Sequence, residues 1–131
     1  MTENQLKITY KIFLEAEDIK GSRILSTKTF VTHFFENCKN VYLNHINIDD
    51  ECDLEEYILR LYVDHEIEEE CRCNQDAENF VTDMAEFLDQ LAQAQSFLDM
   101  EGDFTIEFHG NREAYQFKSE EGQNYCEFMK I

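Results

Sequence analysis

Between Leu6 and Glu15 two kinds of side chain take turns without interruption. Leu6, Ile8, Tyr10, Ile12 and Leu14 alternate with Lys7, Thr9, Lys11, Phe13 and Glu15. A period of two belongs to an extended chain, whose successive side chains point to opposite faces. Residues 6–16 therefore predict a strand with one buried face, and a strand needs a sheet around it. A turn is expected at Asp18-Ile19-Lys20-Gly21-Ser22.

Further along, the period changes. Ser26 or Thr27 can cap a helix in which Phe30, Phe34 and Cys38 share one face, with Val31 and Phe35 beside them. The β-branched residues Thr27, Thr29, Val31 and Thr32 make a strand the rival reading. Residues 41–48 read as a second strand and Asp49 to Glu55 as an acidic loop. Residues 56–69 read as a long third strand. Its odd positions Tyr57, Leu59, Leu61, Val63 and Ile67 are expected to face the core, and Glu56, Arg60, Asp64, Glu66 and Glu68 water.

From Asp76 to Asp99 the apolar residues Phe80, Met84, Phe87, Leu88, Leu91 and Leu98 recur at helical spacing, with Gly102 as the expected stop. Alternation returns at Phe104, Ile106 and Phe108. A tight turn is expected at Gly110-Asn111, then a strand with Tyr115 and Phe117. A turn at Glu121-Gly122-Gln123 leads to a last strand within residues 125–131.

The resulting order, βαββαβ plus two C-terminal strands, is that of the split βαβ arrangement. It predicts an α+β fold: a single two-layer domain, largely antiparallel, with two helices on one face of the sheet. A chain of 131 residues without repeats, low-complexity tracts or linkers fits one domain.

The charge is as informative as the patterning. The formal net charge is −18, well beyond the magnitude of roughly 2–8 that suffices to keep a small domain soluble. It is also segregated: residues 1–48 carry a net +1, residues 49–107 a net −18 and residues 108–131 a net −1. With 13% aromatic residues the chain does not read as disordered. Like charge concentrated in one region opposes folding, so a cationic partner is the favoured explanation.

The residues expected to meet that partner are Asp49, Asp50, Glu51, Asp53, Glu55, Glu56, Asp64, Glu66, Glu68, Glu69, Glu70, Asp83 and Glu86. Alternate side chains on one face of a strand lie about 6.6 Å apart, comparable to neighbouring phosphates along a nucleic-acid strand. Proteins that bind nucleic acid neutralise phosphates with Lys and Arg. The expectation is a protein inhibitor that fills such a cationic surface by mimicking phosphate charge. In composition, though in no motif, this resembles small acidic phage proteins that block restriction or CRISPR effectors. An immunity protein that neutralises a basic toxin or nuclease is the alternative, with Tyr57 or Tyr62 as aromatic anchors if exposed.

A metal or redox site is the next alternative. His65, Cys71 and Cys73 are its candidates, although a Cys-x-Cys spacing without a second pair departs from the usual zinc pattern. The loop at Asp49 lacks the glycine and spacing of a calcium loop. Enzymatic function is not expected: Gly21, Gly102, Gly110 and Gly122 are scattered rather than gathered in a phosphate loop. No nucleophile elbow or zinc-protease helix occurs. Nor is a cofactor or direct nucleic-acid binding expected, since no basic stripe is present.

The N-terminus lacks the basic start and apolar run of a signal peptide, and no apolar run approaches a membrane span. A cytoplasmic protein with free thiols, monomeric or a homodimer, is the expectation.

Overall fold

The computed structural model describes residues 5–44, 47–70, 75–108 and 110–131. Their elements run β1 (Gln5–Ala16), α1 (Gly21–Glu36), β2 (Ile48–Asp50), β3 (Leu59–Glu70), α2 (Gln75–Glu78), α3 (Phe80–Ala94), β4 (Asp99–Phe108), β5 (Asn111–Ser119) and β6 (Glu127–Lys130). Among the described residues six strands form one sheet in the order β2-β3-β1-β4-β5-β6. Every neighbouring pair is antiparallel.

This is the split βαβ arrangement that the order of elements predicts. α1 joins β1 to β2, which run parallel with β3 inserted between them. α2 and α3 join β3 to β4, with β1 between. β1 is therefore central, and its alternation becomes burial: Leu6, Ile8, Tyr10 and Leu14 are fully buried, while Lys11 is exposed.

The helices cover that buried face. Ile24, Thr27, Val31 and Phe35 of α1 and Phe80, Met84, Phe87, Leu88 and Leu91 of α3 are buried. Phe80 meets Tyr10 of β1 and Phe104 of β4, and Phe35 meets Phe87 with ring centroids 4.5 Å apart. Such ring contacts add about 0.5–1.5 kcal/mol each beyond the area they bury. The Tyr10 hydroxyl, inside this core, donates to the carbonyl of Tyr42 at 2.7 Å.

Several local expectations give way to the structure. α1 begins at Gly21 rather than Ser26, and its buried stripe is turned by one residue: Phe30 is exposed, while Phe34 and Cys38 only edge the core. The strand alternative for this segment fails. The hydroxyls of Thr29 and Thr32 bond the carbonyls of Leu25 and Lys28 one turn back, which lets β-branched residues sit in a helix.

The expected strand over residues 41–48 reduces to β2. Asn40 is fully buried, and its side-chain oxygen accepts the Tyr42 N–H while its carbonyl accepts the Leu43 N–H. The turn so formed buries Tyr42 and Leu43 in succession, which a strand covered on one face cannot do. Asp49 and Asp50 then belong to β2 rather than to a loop.

β3 starts at Leu59 because residues 53–58 close a hairpin loop. The Asp53 carboxylate accepts the N–H groups of Glu55 and Glu56, Asp53 and Ile58 exchange both backbone bonds, and Tyr57 stands at φ 59°. Tyr57 is 52% exposed instead of facing the core.

The single helix expected from Asp76 to Asp99 is interrupted at Asn79 and ends at Ala94. Gly102 is no helix stop; it lies within β4. A Cβ there would stand 1.9 Å from the Lys11 carbonyl oxygen and 2.7 Å from the Phe117 ring, which fills the space beside it. At the next hairpin Phe108 pairs with Asn111, so Asn111 opens β5 and the loop is residues 109–110, with Gly110 at φ 81°.

Candidate functional site

With the helices on one side, the other face of the sheet is uncovered. It carries the odd residues of β1, and the register shows what lies beside them. Asp49, Tyr62, Phe13, Glu101, Lys118 and Glu127 are successive cross-strand partners from β2 to β6, one row spanning the sheet. The adjacent row is Asp64, Lys11, Asp103, Gln116 and Met129. Together these rows line a shallow groove of about 840 Å³.

Two acidic stripes run along this face. One, on β3, is Asp64, Glu66, Glu68 and Glu70, all exposed. The other, on β4, is Asp99, Glu101, Asp103 and Glu107. Side chains within a stripe are about 6.6 Å apart, and the stripes are separated by the width of two strand spacings, about 10 Å. β1 lies between them and contributes Lys7 and Lys11. Part of the charge is paired: Lys7 reaches Glu66 at 3.8 Å, Arg60 reaches Glu15 at 3.2 Å and Arg112 reaches Glu107 at 3.4 Å. Asp64, Glu101 and Asp103 have no ion-pair partner within 4 Å among the described residues.

The carboxylates expected to form one surface are divided by the fold. Asp49, Asp64, Glu66, Glu68 and Glu70 share the open face. Glu51, Asp53, Glu55 and Glu56 stand at the β2–β3 hairpin beside it; Asp53 is committed to the loop, and the Glu51 N–H bonds the Arg60 carbonyl at 3.0 Å.

The rest belong elsewhere. Asp50 has the opposite orientation along β2 and pairs with Lys28 of α1, whose ammonium it holds above the ordinary lysine range. Glu69 points to the helix side and accepts the Tyr42 hydroxyl at 2.5 Å. Asp83, on α3, is only 11% exposed and accepts the Asn40 amide at 3.0 Å. Glu86 lies in a separate groove between α1 and α3, with Phe30 and His33. The outer helix face therefore does not join the strand carboxylates in one array: a sheet lies between them.

Conversely, the open face includes Glu101, Asp103, Glu107 and Glu127, which were not singled out from the sequence. A signal existed. Asp99, Glu101 and Asp103 alternate with Met100, Gly102 and Phe104, the same period of two that marks β1.

Among the described residues no group of three or more His, Cys, Asp or Glu side chains is placed to hold a metal ion. His65 faces the Tyr10 ring at 5.6 Å, and Cys71 and Cys73 lie outside the described residues. Cys38, Cys52 and Cys126 are free thiols. Burial pushes the Cys38 thiol above its usual range and, with the nearby Asp89 carboxylate, pushes Cys126 up to about 12. Both stay protonated at neutral pH, the form that is a poor nucleophile. Among the described residues no helix is long and apolar enough to cross a membrane.

Fold and surface together define a class: an antiparallel α+β sheet protein with one face under helices and the other open and rich in carboxylates. Comparison with protein families, curated proteins and solved structures finds no match to this chain.

Proposed function

We propose that this chain is a protein inhibitor that occupies the cationic, nucleic-acid-binding surface of a basic protein, its carboxylates standing where phosphates would. The observation that carries this reading is the pair of acidic stripes on β3 and β4, held in register by the sheet with no helix over them. A strand fixes the spacing of its side chains, so the charges are arranged before the partner arrives. A preorganised surface loses less entropy on binding than a disordered acidic tail. The field of the whole chain, at a formal −18, speeds encounter with a cation and makes association sensitive to salt.

The same surface suits an immunity protein for a basic toxin or nuclease. A specific observation favours keeping this second reading: Leu54 and Tyr57 are 51% and 52% exposed at the acidic β2–β3 hairpin. An apolar pair rimmed by carboxylates is suited to anchor a particular partner.

The test is competition. Basic proteins retained on immobilised protein and eluted by salt are assayed for duplex DNA or RNA binding in its presence. The mimicry reading expects competitive displacement, weakened at least tenfold when Asp64→Asn, Glu66→Gln, Glu68→Gln and Glu70→Gln are combined. Undiminished competition by that variant at low salt would refute it. Competition lost on Tyr57→Ala but kept in the fourfold variant would favour the hairpin-anchored immunity reading.

A further inference from the structure

At the centre of the open face two aromatic rings interrupt the charge. Phe13 and Tyr62 are cross-strand partners, stacked with centroids 4.8 Å apart and planes 26° from parallel. Both are only half-buried, and no helix covers them. Because the rings stack across the strands, the second face of each is turned to the next strand. For Tyr62 that strand presents Asp49, and for Phe13 it presents Glu101. One step along the strands Asp64 and Asp103 flank Lys11 as its cross-strand partners, so the ammonium there is outnumbered.

From this arrangement we infer that the Phe13–Tyr62 pair is a seat for an arginine side chain of the basic partner. The inference rests on the acidic face being the surface that meets that partner, and it names the group recognised. A ring face attracts a cation, and a carboxylate beside the ring accepts its N–H groups. Arginine satisfies both demands together: its guanidinium is planar, weakly hydrated and able to stack while its edge forks onto a carboxylate. A lysine ammonium is a strongly hydrated point charge. The groove of about 840 Å³ around the rings is open enough to admit a side chain from a folded surface. Other occupants meet a charge conflict, since nucleic acid and a second copy of this chain are both strongly negative.

The test compares oligoarginine and oligolysine peptides of equal length, binding to the intact protein by calorimetry across a salt series. The arginine peptide is expected to bind roughly three- to tenfold more tightly. Tyr62→Leu removes that preference and leaves lysine binding unchanged. Asp64→Asn with Asp103→Asn weakens both peptides alike. In the wild-type complex the arginine side-chain protons should shift upfield in the ring currents of Phe13 and Tyr62. That measurement decides the matter even if Tyr62→Leu fails to fold.

Equal, salt-sensitive binding of the two peptides with no ring-current shift would overturn the arginine seat and leave the acidic-surface reading standing. No binding of either peptide at low salt would overturn both.

Discussion

The carboxylates of this molecule belong to two populations, one on each side of the sheet. Those on the helix side act as internal acceptors. Asp83 takes the Asn40 amide, Asp76 the Val41 N–H, Asp89 the Cys126 N–H at 2.7 Å and Glu69 the Tyr42 hydroxyl. Those on the open face mostly have no such task; Asp49, Asp64, Glu101 and Asp103 have no printed bond to hold them. Equal charge therefore carries different weight. The first population ties loops to helices, and the second leaves its charge available. A net charge read from sequence merges the two.

The largest effect should come from breaking the first population where it is most buried. Asn40 is fully buried and donates to both the Asp76 carbonyl and the Asp83 carboxylate, besides accepting the Tyr42 N–H. Asn40→Ala leaves several of these groups without a partner, at about 2–4 kcal/mol. Asp83→Ala should cost less, about 1–2 kcal/mol, because the Asn40 amide keeps the Asp76 carbonyl. Urea denaturation checks both, and losses under about 0.5 kcal/mol for Asn40→Ala would contradict this account.

Alkaline pH tests the same side. Burial, assisted by Asp89, raises the Cys126 thiol from 9.0 to about 12 in the folded protein. Burial likewise moves the Tyr10 hydroxyl up from its ordinary 10.0. In both cases the folded state holds its proton when the unfolded chain has released it. The stabilisation is thus complete below the unfolded value and is lost as pH rises through the folded one. Stability should be flat just below pH 9.0 and fall steadily toward 12. Cys126→Ala should shallow that slope, and an unchanged slope would remove Cys126 from the explanation.

How far the fold was legible follows from the same division. β1, the core half of β3 and β5 show a clean period of two because one face of each is covered and the other wet. α3 shows its stripe because it packs on a single layer. The segment around Tyr42 and Leu43 misleads because its burial comes from a turn built on Asn40, a long-range polar arrangement with no periodic signal. Gly102 misleads because the void it leaves is filled by Phe117, a residue on another strand. The acidic surface was legible in amount but not in direction. Glu69 and Glu70 are neighbours in sequence and face opposite sides, and the matching stripe on β4 was hidden by Leu98, whose burial extends the apparent helix beyond Ala94.

The open-face population should respond to neutralisation in the opposite sense. Combining Asp64→Asn, Glu66→Gln, Glu68→Gln and Glu70→Gln relieves repulsion between stripes, at the loss of the long Lys7–Glu66 contact. Stability at low salt should rise, by no more than about 1 kcal/mol, and the gain should vanish as salt screens the charges. A clear loss of stability, seen in thermal melts at both ionic strengths, would place these side chains among the structural carboxylates after all.

The smallest effect is expected where the open face does use a carboxylate structurally. Glu15 accepts the Arg60 Nε at 3.2 Å, and both side chains are partly exposed. Glu15→Gln keeps an oxygen in place and removes only charge, so it should cost between about 0 and 1 kcal/mol at low salt. The sign distinguishes it from the stripe: removing a paired charge destabilises, while removing an unpaired one from a strongly negative face stabilises. Arg60→Met in the Glu15→Gln background closes the double-mutant cycle. A coupling energy indistinguishable from zero would mean that the pair contributes nothing and that position on the open face, rather than partnership, decides what a carboxylate does there.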